Sequence, residues 1–248
     1  MKRKEKKRKK KRISLWVKLL LIVAVCAGLY FFASSSYFNV TSFQVEGSTY
    51  YSEDEILTMG NCKTGENIFW GSGLADIKDR LEKDPYMAKV RIKRILPDKI
   101  KIEITERTQI GAVVYGDNYV VIDKDENVLR KTEVEPQLTL IKGLTISKIE
   151  VGQPIEVEEK VQMRQIMDMI VSMNESDMYF KSIEISEAGV KAYVLDYLVC
   201  VGTPQNITQA METGNLQKVI KGLFDINIER GTVKVSGDDY ISFSPAFD

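Results

Sequence analysis

The chain has 248 residues, 35 basic, 35 acidic and no histidine, and this removes Ser-His-Asp and Cys-His nucleophilic systems, histidine general bases and histidine-held zinc in one stroke. The zero net charge conceals a step: residues 1–33 carry eleven basic residues and one acidic, leaving 24 basic against 34 acidic beyond them. An acidic remainder disfavours nucleic acid and anionic wall polymers as ligands, both of which need a basic face.

Residues 2–12 are all Lys or Arg except Glu5, so residues 1–12 form a basic tail that stays solvated or lies against anionic lipid. Ile13–Ala33 (13–33) is apolar apart from Ser14 and Lys18, and at the helical rise it spans roughly 32 Å, close to a bilayer core. Lys18 sits near the basic end, where it can snorkel. Trp16 and the Tyr30-Phe31-Phe32 cluster fall at interfacial levels, and the positive-inside rule puts the N-terminus in the cytoplasm and everything after Ser34 outside. The competing reading is a signal peptide cleaved at Ala33-Ser34-Ser35. An apolar stretch longer than an h-region and the bulky Phe31 and Phe32 beside the small residues argue against it.

From residue 40 the break signals are closely spaced. Val40, Phe43 and Val45 are the apolar members of a short strand ended by Gly47. Ser52-Glu53-Asp54-Glu55 reads as a capping box opening a helix whose buried side is Ile56, Leu57 and Met59. After a polar turn from Gly60 to Gly65 and the Asn67-Ile68-Phe69 segment, Leu74, Ile77 and Leu81 have helical spacing, and Asp84-Pro85 closes that second helix. Val90 and Ile92, then Ile100, Ile102 and Ile104, alternate with charged residues about a Leu96-Pro97-Asp98 turn, the pattern of a half-buried hairpin.

Gly111–Asp123 predicts another hairpin, with Val113 and Tyr115 before a Gly116-Asp117-Asn118 turn and Tyr119–Ile122 after it, followed by Val128-Leu129. Asp123-x-Asp125-x-Asn127 copies the opening of an EF-hand loop, but Val128 stands where that loop needs glycine and Val134 where it needs a bidentate Glu, so a polar turn is the better reading. Glu156–Met173 predicts an amphipathic helix with Met163, Ile166, Met167 and Ile170 on one face. Without Cys or His beside them, these methionines read as core rather than as soft-copper ligands. Strands are expected at Ile183–Ile185, Val190–Val194 and Leu198–Val201, the first two joined by a Glu187-Ala188-Gly189 turn. Two short helices follow, carrying Ile207, Ala210 and Met211, then Leu216, Val219, Ile220 and Leu223, divided at Gly214-Asn215. Three short strands close the chain at Ile226–Ile228, Thr232–Val235 and Tyr240–Phe243. Cys26 lies in the apolar span, and Cys62 and Cys200 show no framework or metal spacing, so free or buried thiols are expected. No phosphate loop, G-x-G-x-x-G or S-x-x-K motif occurs, and Asp238-Asp239 reads as a solvated turn rather than an acid/base pair.

An ordered series of motifs carries a resemblance: Val45-x-Gly47, Tyr51-Ser52-x-x-x-Ile56, Gly65-x-Asn67-Ile68-Phe69, Lys83-Asp84-Pro85-Tyr86, Arg94-x-x-Pro97 and Ile104-x-Glu106-Arg107. Together they resemble a POTRA domain, more narrowly that of the FtsQ/DivIB family of bacterial cell-division proteins. The implied fold is α+β: a transmembrane helix, a β-α-α-β-β POTRA domain over 38–108, and over 109–248 a mixed β domain with flanking helices. Residues 123–129 resemble the D-x-x-G-x-L step at the start of the family's β domain, with Asn127 where glycine is expected; asparagine tolerates positive φ. The resemblance implies a non-enzymatic divisome scaffold at the septum, without metal, cofactor or small-molecule substrate. Its implied partners are FtsB/DivIC-like and FtsL-like proteins and the septal peptidoglycan synthase complex. The family's docking edge corresponds to Thr232, Val233, Lys234 and Val235 with Tyr240, Ile241 and Phe243, although the usual Asp-hydrophobic-Arg step after the glycine is here Gly231-Thr232-Val233-Lys234-Val235. The alternatives are a POTRA module for export or envelope assembly, which normally comes in tandem or precedes a barrel, and a membrane-anchored wall enzyme.

The charge step across Ile13–Ala33 generates a topology prediction. A reporter active only outside the cell should work when fused after Asp248 and fail when fused ahead of Lys2; the reverse pattern would overturn the orientation.

Overall fold

The structure, a computed structural model, describes residues 15–186, 189–237 and 239–246. The basic tail, Ile13 and Ser14, the expected turn at 187–188 and Asp238 lie outside the described residues. Two compact units result, one running up to Leu81 and including Val90–Ile104, the other made of Glu82–Lys89 with Thr105–Asp248. The Arg107 N–H bonds Tyr86 O at 2.8 Å.

In the first unit α1 (Leu15–Ala33) is apolar apart from Lys18 and none of it is buried, as a helix made for a nonaqueous surrounding would be. It is long and apolar enough to cross a membrane. β1 (Ser42–Glu46) begins two residues after the expected Val40, which is buried just ahead of it. Gly47 ends the strand at φ +87°, with the position of a Cβ only 2.1 Å from Ile104 O, so no other residue fits without moving the backbone. α2 (Glu53–Gly60) opens on the expected capping box: Ser52 Oγ accepts from the Glu55 N–H while the Glu55 carboxylate accepts from the Ser52 N–H at 2.8 Å. These hydrogen bonds hold the Glu55 carboxyl below the usual range. α2 closes on left-handed Asn61, with Cys62 N–H bonded back to Leu57 O and Asn61 N–H to Thr58 O, the paired bonds of a Schellman cap. α3 (Leu74–Leu81) packs on α2 and buries Ile77 and Leu81. β2 (Met87–Ile95) and β3 (Lys99–Glu106) complete a three-stranded sheet of order β1-β3-β2, with β1 parallel to β3 and Ile100, Ile102 and Ile104 buried on one face. Thus the β-α-α-β-β order expected from sequence is present.

The second unit is built on a mixed sheet. β4 (Gly111–Tyr115), β5 (Asn118–Ile122) and β6 (Val128–Thr132) form an antiparallel meander, and β7 (Thr139–Lys142) returns parallel to β4 on its other side. Asn118 begins β5, so the first turn shrinks to Gly116-Asp117. β8 (Ile146–Lys148) and β9 (Glu156–Val157) form a small separate ladder. α4 (Lys160–Glu175) follows, then β10 (Ser182–Ser186), β11 (Gly189–Tyr193), β12 (Leu198–Gly202), α5 (Pro204–Glu212), α6 (Asn215–Asp225), β13 (Gly231–Val235) and β14 (Ile241–Ser244). Among the described residues the large sheet has nine strands in the order β14-β13-β12-β11-β10-β7-β4-β5-β6. Residues from α4, α5 and α6 join one sheet face in a single core, including Met163, Ile166, Ile170, Ile207, Leu216, Ile141, Ile183, Cys200 and Val233.

Two expected elements differ. The helix expected from Glu156 starts at Lys160, because Glu156 and Val157 pair with β8, Val157 is buried, and the Glu159 carboxylate is taken by Thr145 N–H and Oγ1, each at 2.8 Å. Those bonds lower the Glu159 pKa, the backbone donor contributing most. The expected strand Ile226–Ile228 is instead the C-terminal cap of α6: Ile228 N–H bonds Leu223 O, Asn227 N–H bonds Phe224 O, and Asn227 takes φ 58°. The apolar pair serves the cap rather than a ladder.

The turn after β5 corrects a third expectation. The left-handed residue is Glu126 (φ 65°), which counted from Asp123 is itself the glycine position of the D-x-x-G-x-L step, and not Asn127. Asn127 is buried because its side chain is needed as a donor: Nδ2 reaches both Asp123 oxygens at 3.1 Å, the Asn127 and Asp125 N–H groups bond Asp123 Oδ1, and Arg107 Nη1 bonds Oδ2 at 2.7 Å. A carboxylate only 2% exposed requires this saturation, and its lone pairs are spent on protein donors. Burial raises the Glu126 pKa, Asp168 adding to the rise and Arg164 opposing it. A carboxyl raised in this way favours the fold when protonated, and its contribution is lost as pH climbs through its folded pKa.

Glu126→Gly should therefore stabilise the chain at neutral pH by about 0.5–1 kcal/mol, the left-handed penalty relieved less the extra unfolded-state entropy of glycine. The gain should shrink below about pH 4, where Glu126 is protonated in both states. Thermal denaturation of the detergent-solubilised chain at pH 4 and pH 7 measures both; a lower midpoint at pH 7 would contradict the assignment.

Candidate functional site

A sheet offers unpaired backbone only at its two ends. At the β6 end the edge is partly closed, since Gly152 N–H bonds Val128 O at 2.8 Å, Val128 N–H bonds Gln153 O at 2.9 Å and Ile155 N–H bonds Glu126 O at 2.9 Å. At the other end β14 is the last strand. The seven residues read from the sequence as a docking edge do not share it equally. β13 is paired on both sides, parallel to β12 and antiparallel to β14, so Thr232, Val233, Lys234 and Val235 are inner-strand residues. Val233 and Val235 are buried in the core, whereas Lys234 projects into solvent from the opposite face. The strand edge falls to Ile241 and Phe243, with Tyr240 just before β14 and 78% exposed.

The direction of each β14 amide follows from one bond. Ser236 N–H reaches Tyr240 O at 2.9 Å, which makes Ser236–Tyr240 a hydrogen-bonded pair of the antiparallel ladder. Such pairs alternate, so Lys234–Ser242 and Thr232–Ser244 are bonded pairs, while the N–H and C=O groups of Ile241 and Phe243 point away from β13. On β13 the same alternation turns Val233 and Val235 toward β12, in agreement with the Gly231 N–H bond to Tyr197 O at 2.9 Å. The side chains of Ile241 and Phe243 are half-buried and extend the core to the rim. Phe243 lies over Gly231, whose φ is +136° and where a Cβ would stand 2.6 Å from the ring and 2.7 Å from Ser244 O. Glycine is therefore what lets β14 lie flat on β13.

Other chemistry-bearing groups are placed for structure. Cys62 and Cys200 are free thiols, and burial raises them to about 11 and about 12 respectively, so both remain protonated and poor nucleophiles at neutral pH. The methionines Met163 and Met167 are in the core. Asp239 accepts a 2.8 Å bond from Asn215 Nδ2 at the start of α6. On the sheet face opposite the helices, a cleft of about 360 Å³ is lined by Glu135, Lys142, Lys181, Glu184, Tyr193 and Asp196. Within it Lys181 pairs with Asp196 and the Tyr193 hydroxyl bonds Glu184 at 3.2 Å. No group of three or more potential metal ligands occurs among the described residues. Sequence reasoning named the β14 residues but missed the inner placement of β13, since strand order is not written in a strand's own pattern.

Comparison with known proteins places these features in a family context. Residues 38–107 match the POTRA domain, FtsQ-type. The chain is 29% identical over 226 residues to the cell division protein DivIB of Clostridium acetobutylicum, covering 87% of each chain. It is 21% identical over 214 residues to DivIB of Bacillus subtilis, covering 84% of this chain and 77% of that one. A shorter match to the cell division protein FtsQ of Syntrophotalea carbinolica is 34% identical over 115 residues, covering 46% of this chain and 40% of that one. The resemblance to FtsQ/DivIB proteins thus extends along most of the chain.

Gly231→Ala should push Phe243 and the β14 backbone away from β13. The Ser242 and Ser244 amides should then exchange hydrogen faster while amides of α4 are unchanged; unchanged exchange at both serines would show that the ring does not depend on the glycine.

Proposed function

We propose that this chain is a division protein of FtsQ/DivIB type that acts by binding, anchored by α1 with its basic N-terminal tail in the cytoplasm and its two folded units outside, at the septum. The reading makes it a scaffold that engages FtsB/DivIC-like and FtsL-like partners and, with them, the septal peptidoglycan synthase complex. The observation that carries the binding role is the open β14 edge. An extended partner segment can add to it as a further strand, drawing affinity from the Ile241 and Phe243 backbone groups and specificity from side chains meeting the half-buried rim. The POTRA domain match and the DivIB similarity over 226 residues support the cellular setting. A non-enzymatic role agrees with a chain that has no histidine and whose two folded-unit thiols are held protonated.

The test is the affinity of the detergent-solubilised chain for the membrane-external segment of the FtsB/DivIC-like partner. Ile241→Pro removes an outward amide and should cost at least tenfold, about 1.4 kcal/mol, whereas Ile241→Ala, which keeps the amide, should cost less. Lys234→Glu should matter little, since it leaves every ladder bond in place. Val235→Pro is a folding control, because that amide faces β12. Native binding by a folded Ile241→Pro chain, as judged by circular dichroism, would rule out this edge and turn attention to the hairpin segment Lys89–Lys101, where β2 ends the smaller sheet.

A further inference from the structure

α1 does not end in a free linker; its last turn is built into the first folded unit. Ala33 O accepts a 2.9 Å hydrogen bond from Asn67 Nδ2. The Phe32 ring meets Phe38 edge-on at 5.2 Å, Phe38 meets Phe69 at 5.3 Å, and the Tyr30 ring lies 5.9 Å from Trp70. At about 1.5 Å per residue the 19 residues of α1 span about 28 Å, close to the hydrocarbon thickness of a bilayer, so Ala33 falls at the boundary and the 67–70 loop is held at the same level.

That end of the domain is apolar where water would ordinarily be met. Trp70 is 63% exposed, Tyr37 63%, Leu96 57% and Ile95 37%. The hairpin tip is brought to this end by two ties: Thr41 N–H bonds Asp98 O at 2.8 Å, and Arg94 Nε bonds Ile68 O at 2.7 Å. Exposed Arg94 and Lys99 flank the tip. An indole and a leucine left in solution forfeit apolar burial, but an indole beside cationic side chains matches the layer where headgroups meet acyl chains.

We propose that this end of the first unit is a second membrane-attachment surface, with Trp70 and Leu96 entering the headgroup–acyl boundary of the leaflet in which α1 ends. The inference rests on the reading that α1 spans the bilayer. Lipid is the occupant the geometry favours over a protein partner, because the patch is continuous with the apolar surface of α1 through the Tyr30–Trp70 contact and the bilayer is already beside it. Seated in this way, the unit would be held at a fixed height above the membrane instead of swinging from its anchor.

The chain contains two tryptophans, which permits a direct test. Full-length Trp16→Phe protein, with Trp70 its sole tryptophan, is reconstituted into phosphatidylcholine vesicles made with plain lipids or with lipids brominated on the acyl chain near the carbonyls. Trp70 should lose most of its emission in the brominated vesicles and emit to the blue of a Trp16→Phe, Tyr50→Trp, Trp70→Phe control, whose indole follows the C-terminal end of β1. A companion Trp70→Phe chain uses Trp16 to report α1. Quenching of Trp16 with equal Trp70 emission in both lipids would overturn the inference and leave the anchor intact, whereas quenching of neither would overturn both.

Discussion

The nine-stranded sheet can bury only one of its faces, and most of the second unit is organised by the need to cover that face. α4 does most of this. Met163, Ile166, Met169 and Ile170 are fully buried, each contributing about 1.5–3 kcal/mol as an upper bound from apolar burial. Because α4 lies between β9 and β10, and α5 with α6 between β12 and β13, these helices act as crossovers, and the strands they join to the sheet enter it parallel to a neighbour. The opposite face carries Lys142, Glu184, Lys191, Thr232 and Lys234 and keeps only a small apolar group around Ala112, Val121 and Leu140. One-sided cover yields a rigid sheet that still has an open end.

At that end β14 is held by β13 on one side. Its inward amides are satisfied by β13, and Phe243 anchors it over Gly231, while the alternation of the ladder leaves every second backbone group free to pair. A bare edge of this kind is ordinarily a hazard for self-association. Here it is only four residues long, which limits the ladder it could template.

Elsewhere the buried acid of the second unit is committed to the fold. The Asp123 carboxylate is saturated by Arg107, Asn127 and backbone donors, which fixes the turn after β5 and removes the acid from any metal-binding or catalytic role. On the smaller sheet, Lys101 bridges Glu46 at 2.8 Å and Glu103 at 3.5 Å, and Glu103 also meets Lys93 at 2.7 Å. Such exposed pairs set charge pattern more than stability.

Local signals determined a great deal. The Ser52 capping box, the apolar length of Ile13–Ala33, the Gly214 break between α5 and α6, and the alternation in β3, β10 and β12 were legible because each depends on residues within one or two turns of one another. The tertiary structure decided the rest. Whether Val235 is an edge or an inner residue depends on β12, more than thirty residues earlier in the chain, and not on its own strand. Ile226–Ile228 had strand composition but lay one step beyond a helix whose open carbonyls needed capping. Glu126 rather than Asn127 took the left-handed position because a buried carboxylate sixteen residues from Arg107 required the asparagine side chain. In each case a sequence pattern fixed what a segment could become, and the demand of distant backbone or buried charge for a hydrogen-bond partner selected among those options.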